Sequence, residues 1–387
     1  VKDEPSVIQE NYSKGRTIER TINQNSIKLP KNLQSLYIDG DSYKGQFGKS
    51  RTLFSNKEEN MLQNLKILSI IYFDGFSRLG LLPPSLTQLT ICSGRKMKSL
   101  NSDFFDNLKS VTSLQSLTIY CPLGACFDYE LPPKLEYLEL SNRQLCKISL
   151  RSKSLKRFYL YQTKFSVVSP ENFQVPESLV ELVLSNCVIT LFDDSFVFPQ
   201  RLQSLYLDGQ DAQKIPKLPP NLKCLFILYD LREVTEAYFP DFPSTLEELN
   251  LSSNINYQPH LTITDISYLV KLKKLSIINS KITEPVNLNK FPKSLTDLSI
   301  CKSRVRKFTG TFADFPKLVN LNLSDNSLGN WLSSMPVEFS FGPAIQQIGL
   351  MQNLLDSETV INLLYNLKQS PNFGELFVEN MPVPENL

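Results

Sequence analysis

The chain has 387 residues, 41% of them hydrophobic and 21% charged, values of a folded protein rather than a disordered or fibrous one. Lys and Arg total 41 against 39 Asp and Glu, so net charge gives no global reason to expect a nucleic acid or an anionic membrane as partner. Apolar runs fall far short of the roughly 20 residues that span a bilayer, and the start Val1-Lys2-Asp3-Glu4 has no apolar stretch of the kind found in secretory leaders.

In chain order, residues 1–28 read as an N-terminal flank or cap. From 29 to 387 one pattern dominates: Leu-x-x-Leu-x-Leu, with Ile, Phe or Val as substitutes, beginning at 33, 65, 86, 114, 135, 155, 179, 202, 222, 246, 272, 295, 318, 345 and 373. Successive copies are 20 to 32 residues apart. The alternating Leu-x-Leu sends two side chains inward from a short strand and leaves positions three, five and seven outward. Fifteen copies therefore predict about fifteen parallel strands in one continuous curved α/β repeat solenoid without a second domain.

Several positions modulate the pattern. Pro stands three residues before the first Leu at Pro30, Pro83, Pro132, Pro176, Pro199, Pro219, Pro243 and Pro292, where a fixed φ and a missing N–H suit an extended segment leading into the strand. The outer side of these repeats is accordingly expected to be extended or 3₁₀. Longer intervals leave room for helices at 62–65, 103–108 and 357–369, the last with Ser357 as its cap. At the ninth position, Cys187, Asn254, Asn326 and Asn353 are suited to satisfy backbone groups inside the turn that follows the strand, while Asp41, Arg143, Thr163 and Ser303 replace them elsewhere.

Such copies, for example Leu179-Val-Glu-Leu182-Val-Leu184-Ser-Asn-Cys187, resemble leucine-rich-repeat proteins over nearly the whole chain. That resemblance implies a horseshoe with one parallel sheet on its concave face. The Leu-Pro pairs at 29–30, 82–83, 131–132 and 218–219, in a background rich in Lys, Asn, Ser and Phe, resemble fungal, yeast-type repeats. Many of those carry an F-box and serve as substrate receptors of ubiquitin ligases; no F-box is recognisable in residues 1–30. Ile215-Pro-Lys-Leu218-Pro-Pro-Asn-Leu222 is similar to bacterial effector repeats, whose spacing is more regular.

Catalytic constellations are absent from the sequence. His260 is the single histidine, in a polar loop segment, and nothing resembling a nucleophile elbow, a phosphate loop or metal-ligand spacing appears. No enzymatic activity, cofactor or metal is expected. Seven cysteines, an odd number without CxxC spacing, read as free buried thiols in an intracellular, reducing compartment; Cys121 and Cys126 would be the first suspects for any disulfide.

The outward positions define a candidate binding surface. Its centre holds Tyr137, Tyr159, Tyr161, Val183, Tyr206, Phe226 and Leu228, with Tyr120 just before them, while later repeats offer Asn250, Ser276, Ser299, Asn322 and Ser324. Tyr159, Tyr206 and Phe226 share position five and are expected to form one ridge, flanked by Glu139, Glu181 and Asp208. Outward charges are Asp39, Glu139, Glu181, Asp208, Glu248, Asp297, Glu375 and Glu379 against Arg157 and Lys274. The expectation is a protein partner with a basic or mixed basic and apolar segment, not a nucleic acid and not a membrane. A ligand-sensing domain for peptides or glycans is the alternative, although sequons at Asn250 and Asn322 would set sugar on the same face. A subunit of a larger assembly is the third reading.

Overall fold

The computed structural model of the chain describes residues 32–39, 51–52, 62–71, 76–78, 80–92, 100, 102–143, 145–210, 215–229, 241–253, 260–334, 340–368 and 370–378. The expected flank 1–28 and the residues Asp41, Asn254 and Glu379 lie outside them.

Every copy of the motif carries a strand that begins at its third residue, from Ser35–Asp39 to Glu375–Phe377. The chain divides into two compact units, Val1–Tyr159 with Gln174–Ser178, and Leu160–Phe173 with Leu179–Leu387. The strand Arg157–Tyr161 lies at that division.

In the first unit Ser35–Asp39, Ile67–Ile71, Gln88–Cys92, Ser116–Tyr120 and Tyr137–Ser141 pair in parallel, with Ser35, Ile67, Gln88, Ser116 and Tyr137 in register. In the second, Glu181–Ser185, Ser204–Gln210, Cys224–Tyr229, Glu248–Ser253, Lys274–Ile278, Asp297–Cys301, Asn320–Asn322, Gln347–Gly349 and Glu375–Phe377 do the same, again third residue against third residue. One device recurs at the start of each pairing: a single carbonyl at position two accepts from two successive N–H groups of the next repeat. Lys223 O, for example, takes Glu247 N at 2.7 Å and Glu248 N at 3.0 Å. Such a fork admits one register only, so the leucines of successive repeats must stack. Leu179, Leu182, Leu222, Leu246 and Leu295 are accordingly fully buried. Burial of one such side chain contributes roughly 1.5–3 kcal/mol.

The Pro-x-x-Leu segment is not an extended lead-in. The carbonyls of Pro83, Pro132, Pro199, Pro219, Pro243 and Pro292 each accept from the N–H of the Leu three residues on, at 3.0 to 3.4 Å, so the proline opens a β-turn. Repeats without proline make the same turn, as Leu272 N to Leu269 O (2.9 Å) and Leu318 N to Phe315 O (3.2 Å) show. Proline fits because this turn uses only the carbonyl of that position; the N–H groups of Leu269 and Phe315 are spent on the preceding residues Ile266 and Phe312. The residue just before the first Leu adds a second tie: Ser85, Ser154, Ser178, Thr245 and Ser294 donate their hydroxyls to the carbonyl of the preceding repeat's first Leu, at 2.7 to 2.8 Å.

Beyond the strand, the eighth position turns the backbone into the left-handed region at Gln162, Asn186, Gly209, Asn279, Lys302, Asp325 and Gln352. The ninth side chain then fills the bend. Asn326 is the fullest case, accepting from Ser303 N and Val305 N (both 3.1 Å) and donating to Ile300 O (2.6 Å) and Leu323 O (2.8 Å). Asn353 and Cys187 act similarly, and Thr163 and Ser303 are buried substitutes. Arg143 is not one: it is exposed, and the buried Asn142 beside it donates to Gly124 O at 2.8 Å instead.

Outside these strands the chain forms short parallel pairs, such as Cys126–Glu130 with Lys147–Arg151 in the first unit and Lys164–Val168 with Val188–Phe192 in the second, and 3₁₀ turns at Leu288–Lys290 and Phe312–Asp314. The expected helix at 62–65 is a turn closed by Leu65 N to Leu62 O, since a segment that short gains only one helical bond for the residues it fixes. Helices do form at Ser102–Leu108 and Ser357–Leu367. Asp356, rather than Ser357, caps the latter by accepting from Thr359 N at 2.8 Å, because its backbone is extended while Ser357 is already helical. Phenylalanines complete the core away from the sheet: Phe165, Phe173, Phe196 and Phe198 contact one another edge to face in the second unit.

Candidate functional site

The tyrosines at the outward positions are half-buried or exposed, so they are not absorbed into the core, although Ser69, Ser252, Cys301 and Gly349 at other outward positions are buried. Tyr120 and Arg157 are exposed, and Tyr137, Glu139, Tyr159, Tyr161, Glu181, Tyr206, Asp208, Phe226 and Leu228 are half-buried. Tyr120, Tyr137, Glu139, Arg157 and Tyr159 belong to the first unit, and Tyr161, Glu181, Tyr206, Asp208, Phe226 and Leu228 to the second.

In the first unit the group is built around Glu139. Its Oε1 accepts from the Tyr120 hydroxyl, and its Oε2 accepts from the Tyr137 hydroxyl at 2.7 Å and from Thr118 Oγ1 at 3.3 Å. Register explains the convergence: Thr118 stands opposite Glu139, and Tyr137 lies two residues away on the same face. Tyr159 meets Tyr137 edge to face, with centroids 5.1 Å apart, and the Arg157 guanidinium lies over the Tyr137 ring at 5.4 Å. Glu139 is thus the centre of a hydrogen-bonded aromatic cluster, not a free rim charge. Burial, and then the charge of Glu139, push up the pKa of the Cys92 thiol nearby.

In the second unit Tyr206 and Phe226 stack face to face, 4.2 Å between centroids and 7° between planes, as residues in register on adjacent strands. Ser185 Oγ donates to Asp208 Oδ2 at 2.8 Å. Burial pushes the Tyr206 phenol above its usual range, with smaller contributions from Asp208 and Tyr161. Both groups present flat, partly covered ring surface, fixed in the first by the hydrogen bonds of Tyr120 and Tyr137 to Glu139 and in the second by the ring stack, so little side-chain freedom remains to be lost on docking.

Three further outward acids are likewise engaged. Glu248 is 4.0 Å from Lys274; Asp297 accepts from Asn320 Nδ2 at 2.6 Å and Thr296 Oγ1 at 2.7 Å; Glu375 accepts from Gln347 Nε2 at 2.8 Å. The face keeps its negative charge but holds it in place. Three apolar residues at outward positions went unnoticed in the sequence: Tyr37, Met351 and Phe377, exposed by 62%, 45% and 48%. Their signal was the repeat numbering itself, since they occupy positions five, seven and five.

His260 is exposed and forms an isolated parallel bridge with Lys281. Among the described residues no group of three or more His, Cys, Asp or Glu side chains is arranged to hold a metal ion, and no helix is long and apolar enough to cross a membrane. The cysteines are free, but not all are buried: Cys121, Cys187 and Cys301 are, whereas Cys126, the first residue of one outer strand, and Cys146, the residue before another, are exposed.

Neither a protein-family model nor a curated protein matches the sequence. Among solved structures the chain is similar to a leucine-rich-repeat protein of Leptospira interrogans, with a TM-score of 0.56 and 22% identity over 90% of this chain and 93% of that one. It is also similar to the structure of the Toll–Spätzle complex of Drosophila, with a TM-score of 0.50 and 15% identity over 86% of this chain and 46% of that one. An internalin of Listeria monocytogenes aligns with a TM-score of 0.49 and 15% identity, covering 78% and 83% of the two chains. The fold of this chain is therefore that of the leucine-rich-repeat proteins.

Proposed function

We propose that the chain is a protein-binding scaffold whose partner docks on the open face of the sheet, at the Tyr120–Tyr137–Glu139–Tyr159 cluster and the Tyr206–Phe226 stack. The observation that carries this reading is the presence of two ordered, partly exposed aromatic groups at positions where other repeats place Ser and Asn. Rings of this kind bury much area at small entropic cost and anchor protein interfaces. The partner recorded with Toll in a structure of the same fold supports it as well. The acids on this face favour a basic or mixed basic and apolar segment over phosphate.

The finer role is substrate recognition within an intracellular ubiquitin ligase, and it rests on the resemblance to yeast-type F-box-associated repeats. The test is photo-cross-linking from position 206 or 226, compared with position 270 of the second unit, where Val270 is 70% exposed. One protein captured from 206 and 226 and absent from 270, through a peptide containing Lys or Arg, supports the reading. Capture from 270 alone refutes it.

A further inference from the structure

Of the seven cysteines, Cys126 and Cys146 are the two whose side chains are exposed, and they lie on adjacent turns of the first unit. We infer that they form an oxidisable dithiol, a site at which a peroxide closes an intramolecular disulfide between neighbouring turns.

The strands Cys126–Glu130 and Lys147–Arg151 are parallel, with Cys126 in register with Lys147. Cys146 is one residue earlier. Strands about 4.8 Å apart with a rise of about 3.3 Å per residue put the two cysteine Cα atoms about 5.8 Å apart. Disulfides span roughly 4.4–6.8 Å between Cα atoms, so the separation admits one; because residues one step out of register face opposite sides of a strand pair, closure needs the Cys146 peptide, which precedes its strand, to turn its side chain towards Cys126. The sulfur of Cys146 already leans towards the partner strand, its Sγ donating to Ala125 O at 3.2 Å, and Cys146 N donates to the same carbonyl at 2.9 Å. The pairing the sequence suggested, Cys121 with Cys126, is disfavoured: Cys121 is buried and its Sγ points to Ile91 O, 3.6 Å away on another repeat.

In the reaction one thiol sulfur attacks peroxide oxygen, the O–O bond breaks, and a sulfenic acid and water result. The second thiol sulfur displaces that hydroxyl as a second water. One S–S bond forms, two S–H bonds are lost, and the peroxide accepts both electrons. The closed ring runs from 126 to 146 and contains the strand Tyr137–Ser141, so oxidation staples the turn that presents Tyr137 and Glu139.

The experiment treats the full chain with hydrogen peroxide, quenches with catalase, alkylates under denaturing conditions and maps peptides. The expected result is one cross-linked Cys126/Cys146 peptide with the other five of the seven cysteines alkylated, and a higher melting temperature than the reduced protein shows. Cys126→Ser and Cys146→Ser, both at exposed positions, should each abolish the cross-link and the shift while leaving the reduced melting curve unchanged. Sulfinic acid at both cysteines without a cross-link, a bond between another pair, or a disulfide between two chains would overturn the inference.

Discussion

Tyr206 and Phe226 stack as successive occupants of the same repeat position, ring on ring at 4.2 Å, with their strands held in register from Ser204↔Cys224 onward. Sheet geometry alone produces this contact, because parallel strands in register place equivalent side chains one strand spacing apart. Both rings remain partly open to solvent, which gives an anchor without a pocket.

Replacing either ring should therefore leave folding nearly intact and weaken partner binding. Tyr206→Ala or Phe226→Ala is expected to cost on the order of 2 kcal/mol of binding energy, read by calorimetric titration, with a small change in urea midpoint. A large loss of stability from either variant would mean that the stack belongs to the core.

Glu139 carries a different expectation, because its carboxylate holds Tyr120, Tyr137 and Thr118 together. Glu139→Gln keeps the shape but removes the charge and half of the acceptor capacity, so it should slow association and also loosen the tyrosines. Association rates across a salt series, set beside tyrosine fluorescence anisotropy, separate these two effects. A variant that changes neither would show that the cluster plays no part in docking.

The turn after each strand offers a test of the fold. Asn326→Ala takes away the amide that donates to Ile300 O, Leu323 O and Ser324 O and strands the N–H groups of Ser303 and Val305. A loss of about 3 kcal/mol is expected in urea unfolding. Gly342→Ala should cost about 2 kcal/mol or more by overpacking, since an added Cβ would sit 2.3 Å from Phe315 O. Gly342→Pro should do no better, although proline stands at the equivalent position of other repeats, and a stabilised proline variant would contradict the geometry.

Strand positions were legible in the sequence because the leucine spacing fixes both the start of each strand and the face that is buried. Leu179, Leu182 and Leu184 lie inside and Glu181, Val183 and Ser185 lie partly outside as the alternation requires. The turns were less legible. Pro219 and Leu269 open the same turn with unrelated side chains, since only their carbonyls take part. Ser294 and Thr245 gave a signal in plain view, a hydroxyl residue just before the first Leu, whose role needs the neighbouring repeat to be seen. At the site, position five predicted the Tyr206–Phe226 stack but not the pairing of Tyr159 with Tyr137, which depends on rotamers rather than register.

Burial pushes the Cys187 thiol up to about 12 from an ordinary value of 9.0. A neutral thiol in the fold and an ionised one in the unfolded chain mean that its contribution is complete below pH 9.0 and is lost as pH rises from there towards about 12. Between pH 8 and 10.5 the loss from this group is about 2 kcal/mol. Urea curves at both pH values should show that extra drop in the wild type relative to Cys187→Ala. Native alkylation at pH 8 should modify Cys126 and Cys146 and spare Cys187, and dithiothreitol should leave the melting temperature of the reduced protein unchanged.

The most direct measurement of the binding account is the affinity of the cross-linked partner for the wild type and for the Tyr159→Ala, Tyr206→Ala, Phe226→Ala triple variant, with Leu191→Ala, an exposed side chain on an outer strand, as control. Circular dichroism first establishes that all three proteins fold alike. A loss of a hundredfold or more in the triple variant, about 2.7 kcal/mol, with the control unchanged, is the predicted result. Full affinity in a folded triple variant would contradict the account and place the binding surface elsewhere on the chain.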